Sequence, residues 1–260
     1  MQQFKVLLAK QSDNPKSPRF EETLVGHTKR VYEMADNITN VLTDRIPKTV
    51  DVHVQDLALW RKAVLIVACL HDLGKSNDHF QSMLRRPAFR QGIRHEAVSL
   101  YLIWKLHDWL KPLWDSTSLW FKSAIFFSIP GHHFKFPDPY EDSRTGSEVT
   151  ILSGHHDFKK LMLFTGEQLG LGPPPELGND ELSLLRNGPI KMAIKRLRRE
   201  FHHNFSNHDK LLIALVKSTV VSADLAGSTI FKTFSDPPGW VQDRLNRVLT
   251  SGEIQKVVAK

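Results

Sequence analysis

The chain has 260 residues, 41% of them hydrophobic, with a single cysteine; it is long enough to bury a substantial core and can form no internal disulfide, which fits a reducing compartment. Lys and Arg exceed Asp and Glu by 35 to 28, a formal net charge of +7 that suits a phosphate-bearing partner, as a bias of the whole surface and not a located patch. The longest unbroken apolar run, Ala63 to Leu70, falls far short of the ~20 residues that cross a bilayer, and no apolar leader with a cleavage site opens the chain, so the expectation is a soluble cytoplasmic protein with no membrane partner.

Helical spacing dominates in chain order. After His27, the apolar residues Val31, Met34, Ala35, Ile38, Val41 and Leu42 keep three- and four-residue steps, the stripe of an amphipathic helix with His27 at its start. From Asp56 to Leu73, the residues Leu57, Trp60, Val64, Val67, Ala68 and Leu70 form a broader apolar face, with Gly74 as the expected stop and His71-Asp72 in the last turn. Cys69 reads as a small core residue, and the six Trp residues read as core packing rather than base stacking.

Further helices are expected over about 96–110 and 118–129, the second stopped by Pro130-Gly131. Phe134 to Gly154 is rich in Pro, Gly, Asp and Ser and reads as an irregular loop or inserted excursion; another break lies at Gly170 to Pro175. From His208 to about Ser228 one long buried helix is predicted, with Asp224 near its C-terminal end, and a helical Val241 to Leu249 follows as a closing helix or the start of a linker. No repeat and no long alternating run argues for a sheet. The fold class is therefore all-α, with a domain over 1–235, an irregular insertion about 134–160, and 236–260 as closing helix or linker.

The most informative feature is His71-Asp72 at a helix end. Consecutive helical residues diverge by about 100°, so the two cannot aim at one point unless the site lies across the helix end. A pair of metals resolves that geometry: His71 binds one ion, while Asp72, with two oxygens, bridges both at about 3.5–4 Å separation. An Asp closing a helix also opposes the macrodipole, and a cation is a physical remedy. His27 and Asp224 complete the first ion's set, and His95, His132 and His133 join Asp72 at the second. Imidazole and carboxylate together favour Mn, Fe, Co, Ni or Zn over a purely oxygen-loving Mg site. Lys75 follows on the same face, where its ammonium can contact a phosphate oxygen or leaving group.

Each residue has a plainer reading. A single His near a helix end is more often a surface or capping residue than a ligand, and only the pattern lifts His27 above that. Asp224, in apolar surroundings, is costly without a partner. His155-His156 competes with His132-His133, since both pairs follow a glycine; the second pair is preferred because an apolar helix leads directly into it. His202, His203 and His208 read as solvated, and His53, His79 and His107 have no ligand-like context.

Gly26-His27-Thr28, His71-Asp72-Leu73-Gly74-Lys75, Arg94-His95-Glu96, Gly131-His132-His133 and Ser222-Ala223-Asp224-Leu225-Ala226-Gly227-Ser228 together resemble the HD superfamily of metal-dependent phosphohydrolases. Within it, the double His after Gly and the Ala-Asp-x-x-Gly-Ser ending are similar to the HD nuclease of type I CRISPR interference, the Cas-three HD domain. The resemblance implies an HD helical bundle with two divalent metal ions (Mn, Co, Ni, Fe, Mg or Zn) that cleaves single-stranded DNA. It further implies an ATP-dependent helicase, in cis or in trans, that supplies the strand, and a CRISPR RNA-guided surveillance complex as partner. Asp72 and Lys75 would act in catalysis, and Ser228 as a phosphate contact. One departure matters: no Gly-rich loop ending in Lys-Ser/Thr occurs, so a helicase motor is not in this chain, which reads as a stand-alone nuclease or the N-terminal part of a fusion. Two rival readings are a phosphohydrolase acting on nucleotides or cyclic nucleotides, and a catalytically idle nucleic-acid-binding module whose His cluster is structural.

Overall fold

A computed structural model describes residues 4–46, 53–86, 89, 91–115, 117–131, 148–178, 181–183, 199 and 205–228. The bundle is organised around three helices and a fourth that threads between them. Helix α1 (Leu24–Thr43) starts where Thr23 Oγ1 accepts the Gly26 amide at 3.0 Å, and it buries Val31, Met34, Ala35, Ile38 and Leu42 on the predicted stripe. Helix α2 (Val54–Leu70) buries Trp60, Val64, Val67 and Ala68. The buried thiol of Cys69 is pushed far above its usual pKa, as expected of a core residue.

Two short helices and two longer ones follow in the chain: α3 (Asp78–Arg85), α4 (His95–Lys105), α5 (His107–Leu110) and α6 (Leu119–Gly131). The single helix expected over 96–110 is two, because Leu106 leaves the helical conformation at φ −89°, ψ 9°. Pro130 and Gly131 lie inside the last turn of α6 and not beyond it. Helix α3, absent from the expectations, is capped by the Asn77 side chain, which accepts the Phe80 amide at 2.9 Å. Beyond α6, β1 (Glu148–Thr150) pairs antiparallel with β2 (Glu181–Ser183), and Ile151 bridges Asn77, so part of the stretch read as irregular is ordered strand. Helix α7 (His156–Leu169) ends at Gly170, whose φ of 65° is a left-handed conformation that glycine adopts at no steric cost.

Helix α8 (Asn207–Ser228) packs on α1, α2 and α6. By length and composition it is apolar enough to cross a membrane, but 67% of that stretch is buried inside the bundle, the position of a core helix. Its end approaches α1 closely: a Cβ on Gly227 would lie 2.9 Å from Val31 Cγ2 and 3.1 Å from the Val31 nitrogen. Gly227 is one turn beyond Asp224, and Val31 one turn beyond His27. This backbone contact therefore sets how near Asp224 comes to His27.

The N-terminal segment is built into the same body. Leu7 and Leu8 are fully buried, the Leu24 amide bonds to the Leu7 carbonyl, and Ala9 bonds to Glu22. Among the tryptophans, Trp60, Trp114 and Trp120 are core residues as expected, whereas Trp104 is 53% exposed. The helix expected over Val241 to Leu249 lies outside the described residues.

Candidate metal centre

Helix α2 ends at Leu70, so His71 and Asp72 stand just past the helix rather than in its last turn. His71 keeps helical backbone angles (φ −57°, ψ −37°), Asp72 turns away (φ −106°, ψ 7°), and Leu73–Lys75 closes a 3-10 turn. That change of direction overcomes the divergence of neighbouring helical side chains: His71 Nε2 comes to 3.3 Å from Asp72 Oδ2. The other ring nitrogen, Nδ1, is 3.0 Å from the Ala68 carbonyl and donates to it, which leaves the Nε2 lone pair facing the centre.

Asp72 is the hub. Its Oδ2 lies 3.1 Å from His27 Nε2 and 2.7 Å from Lys75 Nζ, and its Oδ1 lies 3.5 Å from His95 Nε2. Asp224 reaches in from α8, with Oδ1 3.1 Å from the same His27 nitrogen and 4.0 Å from His71 Nε2. Thus four helix ends that are remote in sequence converge on one point.

This donor set fits a divalent cation. His27, His71 and Asp72 each offer a ligand atom within 4.8 Å of one another, all three buried. His27 has both ring nitrogens buried and neither aligned for a hydrogen bond, despite two carboxylate oxygens at 3.1 Å from Nε2. Such an arrangement suits lone pairs that point at a shared ion. The electrostatics agree. Burial disfavours the charged form of His71, yet the carboxylates of Asp72 and Asp224 outweigh it and hold its pKa above the ordinary value. Burial likewise works against ionised Asp224, but His27 and His71 keep it well below the usual carboxylate range. A field that retains a proton here also retains a metal ion.

His95 is the first residue of α4. Burial pushes its pKa down, which favours the neutral imidazole that can coordinate. Its Nδ1 lies 3.4 Å from Glu96, whose carboxyl is held at about 2: burial raises it, and His95 together with Arg94 outweighs burial. Sequence reasoning quoted Arg94 and Glu96 with the motif but gave them no task; Arg94 Nη2, 2.5 Å from Glu96 Oε1, anchors the carboxylate that orients His95.

Ser99, one turn along α4 from His95, went unnoticed in the sequence. Its hydroxyl accepts from the Gly74 amide at 2.8 Å and donates to the His71 carbonyl at 2.8 Å, tying both sides of the turn to α4. A buried Ser four residues after a candidate ligand was the available signal. Ser99→Ala leaves two buried backbone groups without that partner, at about 1–3 kcal/mol. Its expected result is a melting temperature lower by roughly 3–10 °C, together with weaker metal binding, read by calorimetric titration. Unchanged metal affinity would remove Ser99 from the support of the centre.

Lys75 is 8% exposed and lies on Asp72, where its ammonium neutralises the carboxylate, and not out toward solvent. Ser228 is exposed, with Oγ 3.4 Å from Asp224 Oδ1 and its carbonyl accepting from Lys10 Nζ. His132 and His133 lie outside the described residues.

The competing pair can be weighed directly. His155, His156 and Asp157 form a second group of close ligand atoms. However, His155 Nδ1 accepts the Asp157 amide at 3.1 Å and its Nε2 donates to the Phe4 carbonyl at 2.8 Å, so neither nitrogen keeps a free lone pair. Asp157 in turn accepts the Leu7 amide at 2.9 Å. This group fastens the N-terminal segment to α7. His155→Ala is expected to lower stability by about 1 kcal/mol and leave the metal stoichiometry unchanged by atomic absorption; loss of a bound equivalent would contradict the structural role. His208, read as solvated, in fact pairs with Asp56 at 3.1 Å.

Comparison with known proteins fits this geometry. Residues 9–229 match the family model described as "Cas3, HD domain". The chain is also 33% identical over 261 residues to a putative CRISPR-associated nuclease/helicase Cas3 of Myxococcus xanthus (strain DK1622), a match covering 95% of this chain and 34% of that protein. The chain thus spans about a third of the length of this relative. With the matched region running from the N-terminal segment through Ser228 and containing every described member of the His-Asp cluster, the chain belongs to the Cas3 HD domain family.

Proposed function

We propose that the chain is a metal-dependent nuclease of CRISPR defence that hydrolyses single-stranded DNA at a dinuclear centre. The observation that carries this reading is Asp72, placed by the turn after α2 within 3.5 Å of His27, His71 and His95, so that its two oxygens face two different sets of imidazoles. In this reading His27, His71, Asp72 and Asp224 hold the first ion. Asp72 and His95 contribute to the second, together with His132 and His133. Two bound cations would acidify water and neutralise charge on a phosphodiester.

The protein's own groups do the rest. The Ala68 carbonyl and Glu96 orient the His71 and His95 rings. In this reading Lys75, which pairs with Asp72 at 2.7 Å, would contact a phosphate oxygen, and Ser228 would contact the phosphate at the rim. The similarity to a nuclease/helicase supports a helicase in cis or in trans that feeds the strand, an RNA-guided surveillance complex as the recruiting partner, and a cytoplasmic setting. We assign 1–235 to the nuclease domain and 236–260 to a closing helix or linker.

The test is to offer metal-stripped protein circular single-stranded and double-stranded DNA with Mn, Co, Ni, Mg or Zn in turn. Metal-dependent loss of the single-stranded circle is expected. Survival of the circle with every metal, alongside hydrolysis of a nucleotide, would replace this reading with that of a small-molecule phosphohydrolase.

A further inference from the structure

At the far end of α3 from the His-Asp turn lies a groove of about 510 Å³ lined by Phe4, Lys5, Pro15, Lys16, Ser82, Arg85 and Arg86. Four of these side chains are cationic and none is a carboxylate. Lys5, Lys16 and Arg86 are exposed. The guanidinium of Arg85 sits 4.9 Å from the centroid of the Phe4 ring, an arginine–aromatic pair of the kind on which nucleobases stack.

The groove is also mechanically joined to the candidate metal centre. Arg85 bonds to the Gln81 carbonyl at 2.9 Å, to Gln81 Oε1 at 2.8 Å and to the Val6 carbonyl at 2.5 Å. Gln81, fully buried, donates from Nε2 to the Lys75 carbonyl and to the Leu8 carbonyl, each at 2.8 Å. One buried amide therefore holds the groove's floor, the N-terminal segment and the turn that carries Asp72 and Lys75. Seven residue steps of α3 separate Asp78 from Arg85, about 10 Å along the helix axis.

The geometry points to a second nucleic-acid contact: this groove, at the C-terminal end of α3 and tied through Gln81 to the turn that carries Asp72, binds the phosphate backbone of a single strand and keeps it in register with the hydrolytic site. The choice of a nucleic acid strand rests on the nuclease reading. The basic lining and the arginine–aromatic pair stand without it. A polyanionic strand is favoured over an anionic lipid surface because the cations line a concave groove beside a ring, and not a flat apolar face.

The experiment compares the 260-residue protein with the triple variant Lys5→Glu, Lys16→Glu, Arg86→Glu and with its neutral Gln counterpart. Binding of a fluorescent single-stranded oligonucleotide is measured by anisotropy across a salt series without metal, and hydrolysis of bis(p-nitrophenyl) phosphate is followed with metal. The Glu variant is expected to bind at least about tenfold more weakly, with a salt slope shallower by about 2, the value for three lost single-strand contacts. The Gln variant, which loses the same three cations, should show the same change of slope with a smaller loss of affinity, and small-ester hydrolysis should be unchanged. Equal affinity and slope for wild type and both variants would overturn the proposal, as would binding of phosphatidylserine vesicles in place of DNA. Failure of the wild type to hydrolyse the small ester would count against the nuclease reading, while the oligonucleotide series would still decide the groove.

Discussion

Replacing Asp72 by alanine is expected to abolish metal-dependent strand cleavage, with a loss of about 10³-fold or more. Three imidazoles and one ammonium lie within 3.5 Å of this carboxylate, and no other described residue touches as many members of the cluster. Without it, His27, His71 and Asp224 remain as an incomplete set for one ion, and His95 loses its link to them. Binding linkage supplies a second readout. A ligand at 100 times its Kd stabilises the native state by about 2.7 kcal/mol, or a rise in Tm of roughly 5–10 °C for a chain of this size. Wild type should show such a rise with Mn or Co, and Asp72→Ala should lose most of it. Asp72→Asn, which preserves shape and keeps an acceptor for Lys75, separates the loss of charge from the loss of packing. Retained cleavage by a metal-replete Asp72→Ala protein that unfolds cooperatively would sink the bridging role.

The largest effect on stability is expected from Gly74→Ala. A Cβ at Gly74 would lie 1.9 Å from the His95 carbonyl oxygen and 2.4 Å from the Ser99 nitrogen. Both neighbours are backbone atoms of α4, so no side-chain rotation relieves the clash. The turn and the helix must separate, which costs about 3 kcal/mol or more, equivalent to a fall in Tm of roughly 6–12 °C. Because Asp72 sits on one side of this contact and His95 on the other, their 3.5 Å approach is lost with it, and cleavage should fall together with stability. Gly172→Ala is the control, since nothing lies within 4 Å of the Cβ it would add. A Gly74→Ala protein with wild-type melting and activity would show that α4 does not press on the turn as described.

Gly74 also shows where sequence reasoning and structure part. Read locally, a glycine after an apolar run is a helix stop, and the run does end nearby. Its actual requirement is the absence of a side chain opposite another helix, and nothing in residues 71–75 announces that α4 lies there. Gly227 is a parallel case: it belongs to a motif quoted for its resemblance, while its physical task is to let α8 approach Val31 and so bring Asp224 to His27. Ser99 and Gln81 carry no motif and no periodic signal. They matter only because a hydroxyl and an amide meet backbone groups on other elements, 25 and 28 residues away for Ser99 and 6 and 73 residues away for Gln81.

Local order was legible for part of the chain, while helices α3 and α7 carried no expectation. The stripe from Val31 to Leu42, the break at Gly170 and the apolar α8 follow from spacing and from glycine's freedom at positive φ. Errors fell at element ends: His71 and Asp72 stand past α2, Leu106 divides one expected helix into two, and Pro130 sits within α6. The end of a helix is fixed by what caps or abuts it, and that is seldom in the local sequence.

The sequence by itself determined a predominantly helical fold, the candidate members of a His-Asp cluster and the resemblance those motifs carry, because apolar period and ligand chemistry are written in residue order. Only the tertiary structure decided that His27, His71, Asp72, His95 and Asp224 meet, that both ring nitrogens of His155 are committed elsewhere, and that cations with Phe4 line a groove tied to the same turn. Convergence depends on the close backbone contacts at Gly74 and Gly227. Such contacts are properties of pairs of helices, and neither member of a pair encodes the other's position.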